Sequence, residues 1–171
     1  LCTVLKIDIQ GMADVESSIV SRQAPDRSIT LTADYATLKG PRIKLEKSGG
    51  KAHIGWWVDP KASVELPFLV TSPGPVQAGG KVNKKPGRYA VHAEYAVDNA
   101  GGGQLKLSLP QNQQNLEATI KPTGSWNSFI EAKLGEITLS KTGKDTLTLK
   151  ALTINKAGFM NLRTIKLQPL D

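Results

Sequence analysis

A single cysteine, Cys2, stands in 171 residues, so no internal disulfide can staple the fold, and the redox compartment is left undecided. Judging a lipid-attachment role for Cys2 would need residues upstream of Leu1, and an incidental terminal cysteine is the plainer reading. Aromatic residues are sparse, with Trp, Tyr and Phe occurring three times each. No apolar run approaches the roughly eighteen residues of a membrane span, so none is expected. No stretch keeps helical spacing for three turns without a Gly or Pro, which argues against a helical body. Chemistry-bearing patterns are scarce as well. The two histidines, His53 and His92, are isolated beside or within strand-like segments, where surface or core packing is the plainer role. There is no nucleophile elbow, no metal cluster with two histidines, no phosphate-cradling loop and no cysteine with a histidine partner.

What is present suits one ordinary soluble domain. The chain is 39% hydrophobic and 22% charged, and a domain of this length removes roughly 70% of its unfolded surface from water. Its net charge of +7 invites a nucleic-acid partner. The pattern argues against one, because the basic residues are scattered (Lys39, Arg42, Lys44, Lys47, Lys51; Lys141, Lys144, Lys150), with no dense run beyond Lys84-Lys85 and no interleaved aromatics.

The dominant signal is alternation of apolar with polar residues. It appears at 29–32, 63–66, 89–95, 104–109, 136–139, 146–149 and 163–167, and predicts strands with one buried and one wet face. Gly40-Pro41, Ser48-Gly49-Gly50, Pro73-Gly74, Pro86-Gly87, Gly101 to Gly103, Thr123-Gly124 and Thr142-Gly143 punctuate them. Many short strands between regular turns predict an all-β chain, a two-sheet antiparallel β-sandwich. Thr3 to Ile9 reads as one further strand and the stretch to Arg27 as a polar connector, so residues 1–27 are expected to come from a preceding domain and 28–171 to form the sandwich. The start at Leu1 likewise reads as a piece of something longer. Residues 71–85, with Gly79-Gly80 and three lysines, read as a flexible surface insertion.

An ordered series of motifs runs from Ala33 to Pro169. It comprises Ala33-Asp-Tyr-Ala-Thr-Leu-Lys-Gly40, Ile54-Gly-Trp-Trp57, Pro86-Gly-Arg-Tyr-Ala-Val91, Tyr95-Ala96 and Thr123-Gly-Ser-Trp-Asn-Ser-Phe129. Leu134-Gly-Glu-Ile-Thr-Leu139, Gly143-Lys-Asp-Thr-Leu-Thr-Leu149 and Met160-Asn-Leu-Arg-Thr-Ile-Lys-Leu-Gln-Pro169 complete it. The series resembles carbohydrate-binding modules of families 6 and 35 and their galactose-binding-like, jelly-roll relatives. It is also similar to the sandwich at the C-terminus of some bacterial α-L-fucosidases and related glycoside hydrolases. The resemblance covers roughly the last four fifths of the chain and rests on the order of the series rather than on any single motif.

What the resemblance implies is a non-catalytic accessory module of a larger secreted glycoside hydrolase. It would be extracellular or periplasmic, with a glycan and the parent catalytic domain in cis as partners. The alternative is a purely structural sandwich that buttresses the catalytic domain and binds nothing. A sugar offers an apolar C–H face and a rim of hydroxyls, so a site needs a ring to stack on and amide or carboxylate groups to read the rim. The positions that match the families' sites are Trp56 or Trp57, Trp126 or Phe129, and Asn161. Trp56 and Trp57 should face opposite sides of a strand, so at most one is core. Trp126 reads as a core plug or a stacking platform, Phe129 as core or platform, and Asn161 as a hydroxyl reader or a turn-stabilising amide. Structural calcium is common in such families, but only Asp34 is kept as a metal candidate. Thr32 stands where an acid is usual and Arg163 where relatives often place one, so no cofactor is expected. Catalysis finds little support, because Glu94, Asp98, Glu117, Glu131 and Glu136 fall in alternating strands or turns rather than as a working pair.

Overall fold

The computed structural model describes residues 20–75 and 85–170. The strand expected at Thr3 to Ile9, most of the 71–85 insertion, Cys2 and Asp171 lie outside the described residues.

The described chain folds as β1 (Ser21–Arg22), β2 (Ile29–Thr32), a 3-10 turn (Ala33–Tyr35), β3 (Thr37–Lys39), β4 (Lys44–Ser48), β5 (Lys51–Gly55), β6 (Ser63–Val70) and β7 (Gly87–Ala96). It continues through β8 (Gly103–Leu109), β9 (Gln114–Ile120), β10 (Ile130–Leu139), β11 (Gly143–Ile154) and β12 (Asn161–Pro169). These build two six-stranded sheets. The first runs β1-β6-β11-β8-β9, with β3 also on β6; the second runs β10-β7-β12-β5-β4, with β2 also on β12. Every pairing is antiparallel except that of β1 with β6, so the expected antiparallel sandwich holds with one parallel addition at an edge.

Alternation explains the layers. In β11, Leu147, Leu149 and Ala151 point inward between exposed or half-buried neighbours, and Leu105, Leu107 and Leu109 of β8 do the same. They meet Tyr89, Val91, Ala93 and Tyr95 of β7 and Leu162, Ile165 and Leu167 of β12 from the facing sheet. Each fully buried large aliphatic stabilises the sandwich by roughly 1.5–3 kcal/mol relative to exposure.

Three local features depart from the sequence expectation. Strand β6 continues past Leu66 through Pro67 to Val70. Pro67 stands opposite Thr146 of β11, and on the other side of β6 it falls in the gap between the stretch that pairs with β3 and the stretch that pairs with β1, which tolerates a residue without an N–H. Gly87, expected to supply a turn, instead opens β7 where any Cβ would collide with the Pro73 carbonyl, so close backbone approach is the reason for glycine. The end of the expected connector is stitched to the sandwich. The Gln23 amide donates to the Ser72 carbonyl at 2.9 Å and the Tyr89 hydroxyl at 2.9 Å, and its oxygen accepts from the Thr71 and Ser72 N–H groups.

One irregularity reaches the site region. The register of β12 against β7 shifts between Leu162 and Thr164, leaving Arg163 as the extra residue. A bulge re-aims a side chain, and here Arg163 and Thr164 both leave the core while Leu162 and Ile165 stay buried.

Candidate functional site

At one end of the sandwich Trp56, Trp57 and Trp126 line a cleft of about 380 Å³ together with Glu46, Val58, Ala157, Gly158, Phe159, Met160 and Asn161. Its geometry starts with the end of β5. The strand stops at Gly55, and Trp56 takes φ 54°, a left-handed conformation that costs a bulky residue roughly 1–2 kcal/mol. The chain flips there. Trp56 is left 52% exposed, while Trp57 is 1% exposed and packs edge-to-face on Phe159 with centroids 5.1 Å apart. The two rings do part company as expected, but through a backbone flip beyond the strand rather than through strand alternation.

The exposed ring is held in place. The Trp56 indole N–H donates to Glu46 Oε1 at 2.8 Å, and Lys44 Nζ lies 5.4 Å from the ring centroid without lining the cleft. Glu46 sits on β4 directly across from His53 of β5, two residues along the ladder from Gly55 and so on the same face. A Cβ on Gly55 would lie 2.6 Å from Glu46 Oε2 and 3.1 Å from Asn161 Oδ1, so only glycine lets these two oxygens converge over the strand end.

Asn161 opens β12, and its Nδ2 donates to the Trp126 carbonyl at 2.9 Å. That bond fixes the segment between β9 and β10 as a strap over the outer face of the second sheet. Ser48 Oγ donates to Asn127 Oδ1 at 3.3 Å at its far side. The ring of Trp126 lies against Gly158 and Gly101, where side chains would crowd it. Trp126 is half-buried and lines the cleft, so it has one packed side and one available side.

Phe129 sits elsewhere. It meets His53 edge-to-face at 5.7 Å, and the Arg163 guanidinium lies 3.5 Å from its ring centroid. Phe129 does not line the cleft; it pins the strap that carries Trp126. His53 is 4% exposed, with Nε2 3.6 Å from Glu46 Oε2. Burial is the main influence on its imidazole and lowers its pKa, with the Arg163 charge adding to that and Glu46 opposing it.

Asp34, at the 3-10 turn, lines a second cleft of about 360 Å³ with Thr32, Lys47, Gly50, Lys51, Ala52, Glu94, Arg163 and Thr164. These residues do not fit a hard divalent cation. Glu94 is engaged by Arg163 Nη1 at 3.1 Å, and Lys47 and Lys51 add positive charge where carboxylate or carbonyl oxygens are needed. Among the described residues no group of three or more His, Cys, Asp or Glu gathers around one point.

The structure thus brings together Trp56, Trp57, Trp126 and Asn161, places Phe129 behind them and leaves Asp34 in another cleft. Sequence reasoning missed Glu46. The signal was there in Ser48-Gly49-Gly50: a hairpin closed at the Gly pair sets Ser48 opposite Lys51, Glu46 opposite His53 and Lys44 opposite Gly55. Among the described residues that line the cleft, Glu46 is the one carboxylate.

No family model matches the sequence, and no curated protein matches it. Solved structures do match its fold. A family 35 carbohydrate-binding module from Clostridium thermocellum aligns with a TM-score of 0.58 at 17% identity, over 82% of this chain and 96% of that one. The C-terminal family 6 module of a marine laminarinase from Zobellia galactanivorans aligns at 0.54 and 15% identity, over 82% and 98%. The mosquito-larvicidal Cry4Aa toxin from Bacillus thuringiensis aligns at 0.65 and 14% identity, over 93% of this chain and 26% of the toxin. At these identities the likeness shows a shared β-sandwich, the jelly-roll type of the carbohydrate-binding modules, and function has to be argued from the site.

Proposed function

We propose that this chain is a non-catalytic glycan-binding module. The observation that carries the reading is the pairing of an exposed Trp56 with a half-buried Trp126 around a cleft that Glu46 and Asn161 also line, with an oxygen of each held over Gly55. Rings stack on the C–H face of a sugar, and fixed oxygens take up the hydroxyl protons of its rim. Trp57, Phe159 and Met160, all buried, give the cleft a rigid apolar floor.

In this reading residues 28–171 are the module and 1–27 lead in from a preceding domain, their last part bound into the sandwich from Ser21. The parent is a secreted glycoside hydrolase, working outside the cytoplasm, with an α-L-fucosidase the type suggested by the order of motifs. The laminarinase module supports this arrangement as a fold-level analogy. A weak module gains by keeping its catalytic partner at high effective concentration near a polysaccharide.

The test is a binding screen against a broad panel of soluble polysaccharides and oligosaccharides. Micromolar to millimolar binding is expected, and Trp56→Ala and Trp126→Ala should each weaken it about tenfold or more, with the thermal midpoint of Trp56→Ala nearly unchanged. A panel with no binder would leave a sandwich whose role is to buttress its neighbour.

A further inference from the structure

We propose that Glu46 sets the charge preference of the aromatic cleft and makes it a reader of uncharged, hydroxyl-rich glycans that turns away uronate and sulfate groups. The inference rests on the glycan-binding reading above and goes beyond it to the class of ligand.

The argument is an inventory of hydrogen-bonding capacity. Asn161 commits its Nδ2 to the Trp126 carbonyl, leaving Oδ1 over Gly55. Glu46 accepts the Trp56 indole N–H on Oε1 and turns Oε2 to the same spot. Asn161 Oδ1 and Glu46 Oε2 are therefore both acceptors, Oε2 with His53 Nε2 at 3.6 Å on its other side, and Glu46 carries a negative charge. A sugar hydroxyl can donate to each of them. A carboxylate or sulfate has no proton to give and brings a second negative charge into the same small space.

The neighbouring cations do not cancel Glu46 inside the cleft. Lys44 Nζ lies 5.4 Å from the Trp56 ring centroid and is also felt, but it stands outside the lining, whereas Glu46 belongs to it and is the nearer charge to a bound ligand. Arg163 is spent on Glu94 Oε1, the Ser48 carbonyl and the Phe129 ring. His53 is kept neutral near pH 7 because it is buried. Any ligand charge held in a cleft of about 380 Å³ lies within the screening length of about 8 Å at 0.15 M salt, so Glu46 is felt. The net charge of +7 acts in the opposite sense, attracting polyanions to the outer surface, but that attraction is screened by salt.

The experiment compares β-glucan, galactan and mannan with the C6-oxidised, uronate form of each, using the wild type and Glu46→Gln at about 0.15 M and about 1 M NaCl. Gln keeps an acceptor for the Trp56 N–H, removes the charge and turns the second position from an acceptor into an amide donor. Expected is an about tenfold or greater preference for the neutral member of each bound pair, falling close to parity in Glu46→Gln, read as the ratio within each pair so that any weakening of neutral binding in the variant cancels. An oxidised glycan bound as tightly as its neutral parent at either salt level overturns the proposal, as does a preference that survives unchanged in Glu46→Gln. Failure of every glycan to bind would instead bring down the underlying reading of the cleft.

Discussion

Two clefts of nearly equal size, about 380 and 360 Å³, are built from the same strands and have opposite chemistry. Strand β4 gives Glu46 to the first and Lys47 to the second, and β12 gives Asn161 to the first and Arg163 to the second. The first has a floor of buried Trp57, Phe159 and Met160 and a wall of partly exposed indole. The second is lined by Thr32, Asp34, Lys47, Lys51 and Glu94, with Arg163 already tied to Glu94 and to the Ser48 carbonyl. Volume therefore does not distinguish a binding site from a furrow; preorganised apolar surface with a few unspent polar atoms does. In the second cleft Arg163 and Glu94 are spent on each other.

The sharpest break of that comparison lies under the first cleft. Trp57→Ala should cost about 3–5 kcal/mol of folding stability, because it empties a fully enclosed site against Phe159. Trp56→Ala, one residue earlier, removes a half-exposed ring held by one hydrogen bond and should change stability by about 1 kcal/mol or less. Urea unfolding of the two variants checks this. Equal losses would mean that the exposed ring is structural and that the cleft is not preorganised by its floor.

A smaller effect is expected from acid, because His53 stands between the two clefts. It faces Glu46 from β4, Arg163 from β12 and the Phe129 ring from the strap. Burial holds its folded pKa below the ordinary 6.5, so the unfolded chain takes up the proton first. The stability that neutral His53 represents is complete above about 6.5 and is lost as pH falls from there through the lowered folded value. The thermal midpoint should decline between about pH 7 and 5, and His53→Gln should flatten the decline. The remaining histidine, His92, is half-exposed beside Glu131 at 3.3 Å, and a slope unchanged in His53→Gln would move the effect away from His53.

Most of the sandwich was legible because its inward residues alternate cleanly. Leu147 and Leu149, or Leu105 and Leu107, announce their strands without help from context. Strand β9 was missed because its first residues, Gln114 and Asn115, continue the polar run from Gln111, so only Leu116, Ala118 and Ile120 carry the inward pattern. Strands β4 and β5 were hidden for another reason. His53 is buried on the outer face, under the strap, so β5 shows buried residues on both sides and no period of two. Trp56, Trp126 and Asn161 could be named from the sequence, but not which tryptophan is presented. That choice is made by the φ of 54° at Trp56, a backbone flip that no alternation rule encodes. Glu46 was missed as a cleft residue because its only signal is the cross-strand register set by the Gly49-Gly50 turn, not a motif.

The smallest effect sharpens the comparison from the side of the second cleft. If Arg163 and Glu94 satisfy each other there, calcium finds no set of free oxygens, and neither added calcium nor a chelator should shift the thermal midpoint by more than about 1 °C. A ligand that binds only the folded state must raise the midpoint with its concentration, so the measurement reads occupancy directly. Arg163→Met removes the guanidinium from Glu94, the Ser48 carbonyl and the Phe129 ring, and should lower the midpoint while leaving it insensitive to calcium, since Lys47 and Lys51 remain. A calcium-dependent rise in the wild type would make Asp34 and Glu94 part of a cation site and would give the second cleft a role equal to the first.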